Sequence, residues 1–145
     1  PYRWAQYTAV PFTPLEKPLW KTKVGLVVTS APYQPDRGDQ GPGAAYNASA
    51  KFYQVYTGEV ADEPDVRISH LGYDRTYTTA ADINTYFPLA QLKKAANQGR
   101  IGALAEHFQG TPTNRSQVTT IEQDCPEVLR RLREDGVEAA VIVAA

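Results

Sequence analysis

Sulfur is almost absent from this chain. Its 145 residues hold one cysteine, Cys125, and no methionine. One cysteine excludes an intrachain disulfide and any metal centre built from several cysteines, and it makes a reducing, cytoplasmic setting the default expectation. The two histidines, His70 and His107, have no other clustered ligands around them in the sequence, so no metal site is expected. Long apolar runs are missing too. Nothing approaches the roughly 18 residues of a membrane span, and Pro1-Tyr2-Arg3-Trp4 has no apolar signal core. The absence of an initiator Met leaves room for an upstream segment. Charge of one sign is lacking as well: a net charge of −1 and a pI of about 6.2 provide no basic field for nucleic acid or an anionic membrane.

What is present is globular. Hydrophobic residues make up 42% and charged residues 21%, which excludes a wholly disordered chain. A chain of this length suits one domain and buries roughly two thirds of its unfolded surface.

Residues 1–22 read as an extended arm, because Pro1, Pro11, Pro14 and Pro18 block a long helix. Tyr2, Trp4, Tyr7, Phe12, Leu15, Leu19 and Trp20 make it apolar, so it is either a strap on its own domain or a segment that docks on a neighbouring subunit. Residues 23–145 read as a single α/β domain, incomplete at its C-terminus. Lys23 to Ser30 is the clearest strand, short, continuous and β-branched, as in the buried centre of a parallel sheet. Ala31 to Gly43 reads as a long loop. Lys51 to Tyr56 fits a short helix or a strand. Asp65 to His70 alternates as a second strand, with Val66 and Ile68 on one face. A loop then leads to a helix opened by Pro88, carried by Leu89, Leu92, Ala95 and Ala96 and closed by Gly99. Residues 101–108 begin with a short strand or extended turn, and 109–117 read as polar loop. Thr120-Ile121-Glu122-Gln123 has the form of a capping box for a helix closed by Gly136. Val137 to Ala145 reads as a last buried strand, with its ligand-facing loop missing beyond it. The fold class that follows is α/β, a mostly parallel sheet flanked by helices in three layers, Rossmann-like or flavodoxin-like.

In such sheets ligands sit outside the carboxyl ends of the strands. His70 ends one strand and can act as acid or base near neutral pH, or simply hold a structural hydrogen bond. Asp74 and Arg75 follow in the loop. An Arg fork suits bidentate capture of a carboxylate, and a loop-anchoring salt bridge is the alternative. Asp82 and Asn84 either cap the next helix or complete a polar pocket. Thr29 and Ser30 end the first strand and can line the same crevice. Asn114, Arg115 and Ser116 form another polar loop. Gly38, Gly41 and Gly43 fit neither nucleotide-binding fingerprint. His107 reads as structural or surface. Cys125, without a resolving cysteine or a base, also reads as structural.

The run from His70-Leu71-Gly72-Tyr73-Asp74-Arg75-Thr76-Tyr77 through Asp82-Ile83-Asn84 resembles the selenoprotein B subunit family of glycine/sarcosine/betaine reductase and D-proline reductase. The likeness continues through Phe87-Pro88, Gly99-Arg100-Ile101-Gly102 and Glu134-Asp135-Gly136-Val137, covering roughly residues 23–145. It implies a reductase subunit that breaks a carbon–nitrogen bond next to a carboxylate in a small amino-acid-like substrate. Asp74, Arg75, Asp82, Asn84, Ser30 and Asn114 would bind that substrate. The family's redox-active selenocysteine or cysteine lies directly after the strand matching Val137 to Ala145. It is therefore expected beyond Ala145, and no cofactor is expected within the chain itself. Partners on this reading are the small-molecule substrate and other reductase subunits, or a homo-oligomer through residues 1–22, with no nucleic acid and no membrane. The alternative is a non-catalytic binding or assembly subunit.

Overall fold

The computed structural model describes residues 6–37, 52–70, 74, 76–77, 80–113 and 116–144. Its centre is β1, Lys23–Val28, five of whose six residues are buried. After it come β2, Ala31–Pro32, and a single 3-10 turn, Pro35–Arg37, within the stretch expected to be loop. The ambiguous stretch resolves into a strand that begins later, β3, Tyr56–Glu59. The expected second strand is shorter, β4, Val66–Arg67. Then follow α1 (Leu89–Asn97), β5 (Ala103–Leu104), β6 (His107–Gly110), α2 (Gln117–Thr119), a π-helical turn (Thr120–Asp124), α3 (Cys125–Glu134) and β7 (Ala139–Val143).

Three strands run parallel to β1, as befits a central strand. Val24 is opposite both Leu104 and Ala139, and Val28 is opposite both Gly110 and Val143. The β5–β6 run therefore follows one edge of β1 and β7 the other. The remaining pairings are antiparallel: β3 with β6, and β2 with β4 in a separate two-stranded sheet. The class is α/β with a mixed sheet, and the described pairings do not lay out the winding of a Rossmann or flavodoxin fold.

Alternation along β1 feeds two cores. Leu26 and Val28 join Val66, Tyr86, Phe87, Leu89 and Phe108, while Val27 meets Val128 and Leu132 of α3. A Cβ on Gly25 would lie 2.9 Å from Leu132 Cδ2, so the close approach of α3 needs glycine there.

The polar loop expected over 109–117 is in part β6. Its signal is hidden because glycines and aromatics alternate across the strand pair. Tyr56 faces Gly110 and Phe108 faces Gly58, each ring covering the bare backbone opposite. Gln109, though buried, accepts a 2.7 Å hydrogen bond from Thr57 Oγ1.

Both helix ends fall where glycine was expected to close them. Gly99 and Gly136 have φ of +68° and +67°. In each case the following residue donates back five positions, Arg100 to Ala95 and Val137 to Leu132. The capping box does not form. Thr120 is already helical (φ −62°, ψ −46°), and Ser116 is the N-cap, accepting from the Thr119 N–H at 3.1 Å. Pro126 explains the π turn between the two helical pieces: its ring crowds the carbonyl four residues back, and widening the preceding turn relieves that clash.

The last strand is not buried. β7 is an edge strand among the described residues, with Val141 37% and Ile142 73% exposed. Residues 6–21 of the arm are exposed throughout. It is tied to the sheet by Lys17–Glu138 at 2.6 Å and by Thr22, whose hydroxyl donates to the Pro18 carbonyl. No helix among the described residues is long and apolar enough to cross a membrane.

Candidate functional site

The parallel strands bring their carboxyl ends together. The Thr29 N–H donates to the Val143 carbonyl at 3.2 Å, and the Thr111 N–H donates to the Val28 carbonyl at 2.8 Å. Thr111 Oγ1 donates to the same Val28 carbonyl at 3.2 Å. The ends of β1, β6 and β7 thus stand side by side, where open α/β sheets bind ligands. The β2–β4 ladder adds a fourth segment, because pairing of Ala31 with Arg67 brings Ile68, Ser69 and His70 to the same end.

Ser30 is fully buried there, and its carbonyl accepts a 2.9 Å hydrogen bond from the Tyr56 hydroxyl. Burial pushes the Tyr56 phenol well above its ordinary pKa, and the bond to Ser30 opposes this only in part. The phenol therefore stays a neutral donor. Arg67 forms a two-pronged pair with Asp65, one contact at 2.7 Å through Nη2, and lies 4.9 Å from the Tyr33 ring centre. That pair holds the Asp65 carboxyl below its usual range.

Of the residues the sequence singles out, Ser30 and His70 lie at this end, His70 half-buried beside Ser69. Asp74 is exposed, and its Oδ1 accepts from the Thr76 and Tyr77 N–H groups at 2.8 and 3.2 Å, a local turn. Asp82 is the N-cap of the 3-10 turn Ile83–Thr85 and accepts from both the backbone N–H and Nδ2 of Asn84. This fixes the Asn84 amide and leaves its Oδ1 buried without a partner. Ser116 caps a helix. Arg75, Asn114 and Arg115 lie outside the described residues, as do Gly38, Gly41 and Gly43. Cys125 is exposed at the start of α3.

Ser69 and Tyr56 escape the sequence reading. Strict alternation over 65–70 turns Ser69 away from Val66, yet both are buried; the ladder itself ends at Arg67. Tyr56 lay at the margin of an ambiguous stretch.

His107 sits at the opposite, amino end of β6. Its Nδ1 is 2.9 Å from both Asp135 carboxylate oxygens, and its Nε2 is 3.1 Å from Glu59 Oε1. The bond to Asp135, more than any other contact, raises its pKa. Among the described residues no group of three or more His, Cys, Asp or Glu is placed to hold a metal ion.

A family profile described as glycine/sarcosine/betaine reductase selenoprotein B matches residues 2–145. The chain belongs to this family. Among its selenoprotein B relatives, the D-proline reductase subunit gamma of Acetoanaerobium sticklandii is 31% identical over 137 residues, covering 92% of this chain and 52% of its own length. The sarcosine reductase complex component B subunit beta of Peptoclostridium acidaminophilum is 28% identical over 141 residues, 95% of this chain and 31% of the relative. The glycine reductase complex component B subunit gamma of Symbiobacterium thermophilum is 24% identical over 145 residues, 99% of this chain and 33% of the relative. The chain thus spans about half of the first and a third of the other two. No solved structure matches.

Two segments that carry the selenoprotein B likeness have structural work to do. Gly102 must be small, since a Cβ there would lie 2.5 Å from the Lys21 backbone carbon. Asp135-Gly136 both terminates α3 and clamps His107.

Proposed function

We propose that this chain is part of a reductase subunit, and that it holds a small amino-acid-like compound at the carboxyl ends of β1, β6 and β7. The observation that carries this reading is the pairing of Thr29 N–H with the Val143 carbonyl. A residue directly following β7 emerges beside Thr29 and Ser30, and the family resemblance puts the redox residue directly after that strand. The chemistry is reductive cleavage of a C–N bond. The carbon takes a hydrogen, the amine leaves with the bonding electrons and a proton, and a thiol or selenol–thiol pair is oxidised to a disulfide or selenosulfide. That pair is expected beyond Ala145. Arg75 is the candidate for the substrate carboxylate, because a guanidinium fork suits bidentate capture of one, while Asn84 and Ser30 offer uncharged contacts. His70 is a candidate proton donor to the departing amine.

The names of the relatives suggest glycine, sarcosine and D-proline as probes. Calorimetric titration of the chain should detect at least one of them, with acetate and methylamine, which carry only half of the recognised groups, binding far more weakly. Equal binding of all five, or binding of none, would remove the substrate reading.

A second reading, an assembly subunit, draws on the exposed side chains of Ile142 on β7 and of Tyr7, Val10 and Phe12 on the arm. It calls for a stable complex with a second chain and no measurable affinity for the amino acids.

A further inference from the structure

We infer that Trp20 of one copy of this chain docks into a hollow beside α1 of a second copy, with Lys21 meeting the acidic rim of that hollow. The contact needs no ligand and is independent of the substrate reading above. Its projecting part is the 3-10 turn Leu19–Lys21. Backbone bonds fix the turn to its own domain. The Lys21 N–H donates to the Pro18 carbonyl at 2.8 Å, and the Gly102 N–H donates to the Leu19 carbonyl at 3.1 Å. Yet Leu19 and Trp20 are 46% and 57% exposed. The Lys21 ammonium lies 4.6 Å from the Trp20 ring centre, a cation over an aromatic face. The turn is therefore a fixed knob, apolar at its tip and positive at its side. Tryptophan is among the residues that most often anchor protein interfaces.

The receiving part is a hollow of about 440 Å³ between residues 62–65 and the start of α1. Buried Phe87 and Leu89 form its floor, with Ile83 beside them. The Phe87 ring is backed by that of Phe108, their centres 4.8 Å apart, so the floor is preformed. The acidic groups stand on exposed residues at the mouth, Asp62, Glu63 and Asp65. Arg67 takes Asp65, and Lys93 Nζ donates to the Asp62 carbonyl at 3.5 Å, not to a carboxylate. The Asp62 and Glu63 carboxylates have no partner among the described residues. An apolar centre inside a charged rim is the anatomy of a protein interface. A small-molecule site would instead bring polar groups inward. Two unpaired carboxylates then call for a cation beside the apolar anchor, and Trp20 with Lys21 supplies both. Trp20 does not fill the hollow of its own chain, because it is exposed, so the occupant comes from a second copy.

The test is sedimentation over a concentration series. All chains are full and carry Ile142→Lys, which blocks strand addition at β7. The parent should self-associate. Trp20→Ala removes the knob, and Asp62→Lys with Glu63→Lys reverses the rim. Each change should weaken association about tenfold or more. All three side chains are exposed, so melting temperatures should stay within about 3 °C of the parent. Mixing then separates this contact from any other. The first variant keeps its hollow and the second keeps its knob, so an equimolar mixture should associate more strongly than either alone. A parent that stays monomeric throughout the series would overturn the contact and leave the hollow to a different partner. Association unchanged in either variant, or a mixture no stronger than its parts, would also overturn it.

Discussion

The His107 imidazole is clamped by Asp135, its Nδ1 lying 2.9 Å from both carboxylate oxygens while the Asp135 Oδ2 also accepts the His107 backbone N–H at 3.2 Å. One side chain thereby ties the C-terminus of α3 to the start of β6, and Glu59 holds the other ring nitrogen from β3. Because the folded-state pKa is raised, the imidazolium contributes stability that is fully present below the ordinary histidine pKa. That contribution is lost as pH rises through the folded value. The melting temperature should therefore fall as pH is raised from about 6 into the alkaline range. Asp135→Asn should flatten this slope and cost roughly 1–2 kcal/mol at the acid end. Calorimetric scans of both proteins over a pH series check it, and identical slopes would count against the clamp.

The glycines of the β3–β6 pair are the next test. A Cβ on Gly110 would lie 1.7 Å from the Tyr56 ring, and one on Gly58 would lie 2.4 Å from the Phe108 ring. Gly110→Ala and Gly58→Ala should each destabilise by about 1–3 kcal/mol through displaced aromatics, read from urea unfolding midpoints. Tyr56→Leu combined with Gly110→Ala should recover part of that loss.

These glycines also show what a single sequence makes legible. β1 is plain because a short run of β-branched residues needs no context. The helix ends at Gly99 and Gly136 are plain because a positive φ is a local demand. β6 is not, since His107 and Gln109 look like loop until Asp135 and Thr57 are seen to satisfy them. The start of the last helix is not decided by sequence, because Thr120 and Ser116 carry equivalent hydroxyls; in the structure Ser116 is the N-cap and a widened turn precedes Pro126. β7 reads as buried from its apolar run, whereas its burial is set by what packs beside it, and three of its five residues are exposed. At the candidate site, Ser30 was legible as the end of a strong strand. Ser69 was not, because its burial follows from a long-range ladder that ends early. Asp74 and Asp82 turned out to have local turn and cap bonds, the alternative that their residue type always carries.

Tyr56→Phe isolates the support beneath the site. It removes the 2.9 Å bond to the Ser30 carbonyl and leaves a buried acceptor unpaired, so a loss of about 1–2 kcal/mol is expected. In the parent chain, ultraviolet titration should show Tyr56 among the tyrosines still protonated where the exposed ones have ionised. The variant should show one late-titrating group fewer.

The exposed edge of β7 has its own consequence. Ala139 to Val143 is uncharged and lacks proline, the usual guards against strand addition. Ile142→Lys should shift concentrated solutions toward monomer by light scattering without lowering the melting temperature. An unchanged size distribution would show that the edge is not used for association.

Amide chemical-shift mapping of the chain with glycine, sarcosine and D-proline tests most directly where the ligand sits. The predicted result is saturable shifts concentrated at Thr29–Ala31, Ser69–His70 and Thr111–Thr113, with the His107 end of the sheet unmoved. Shifts centred on His107, Glu59 and Asp135, or none at any residue of the strands' carboxyl ends, would contradict it.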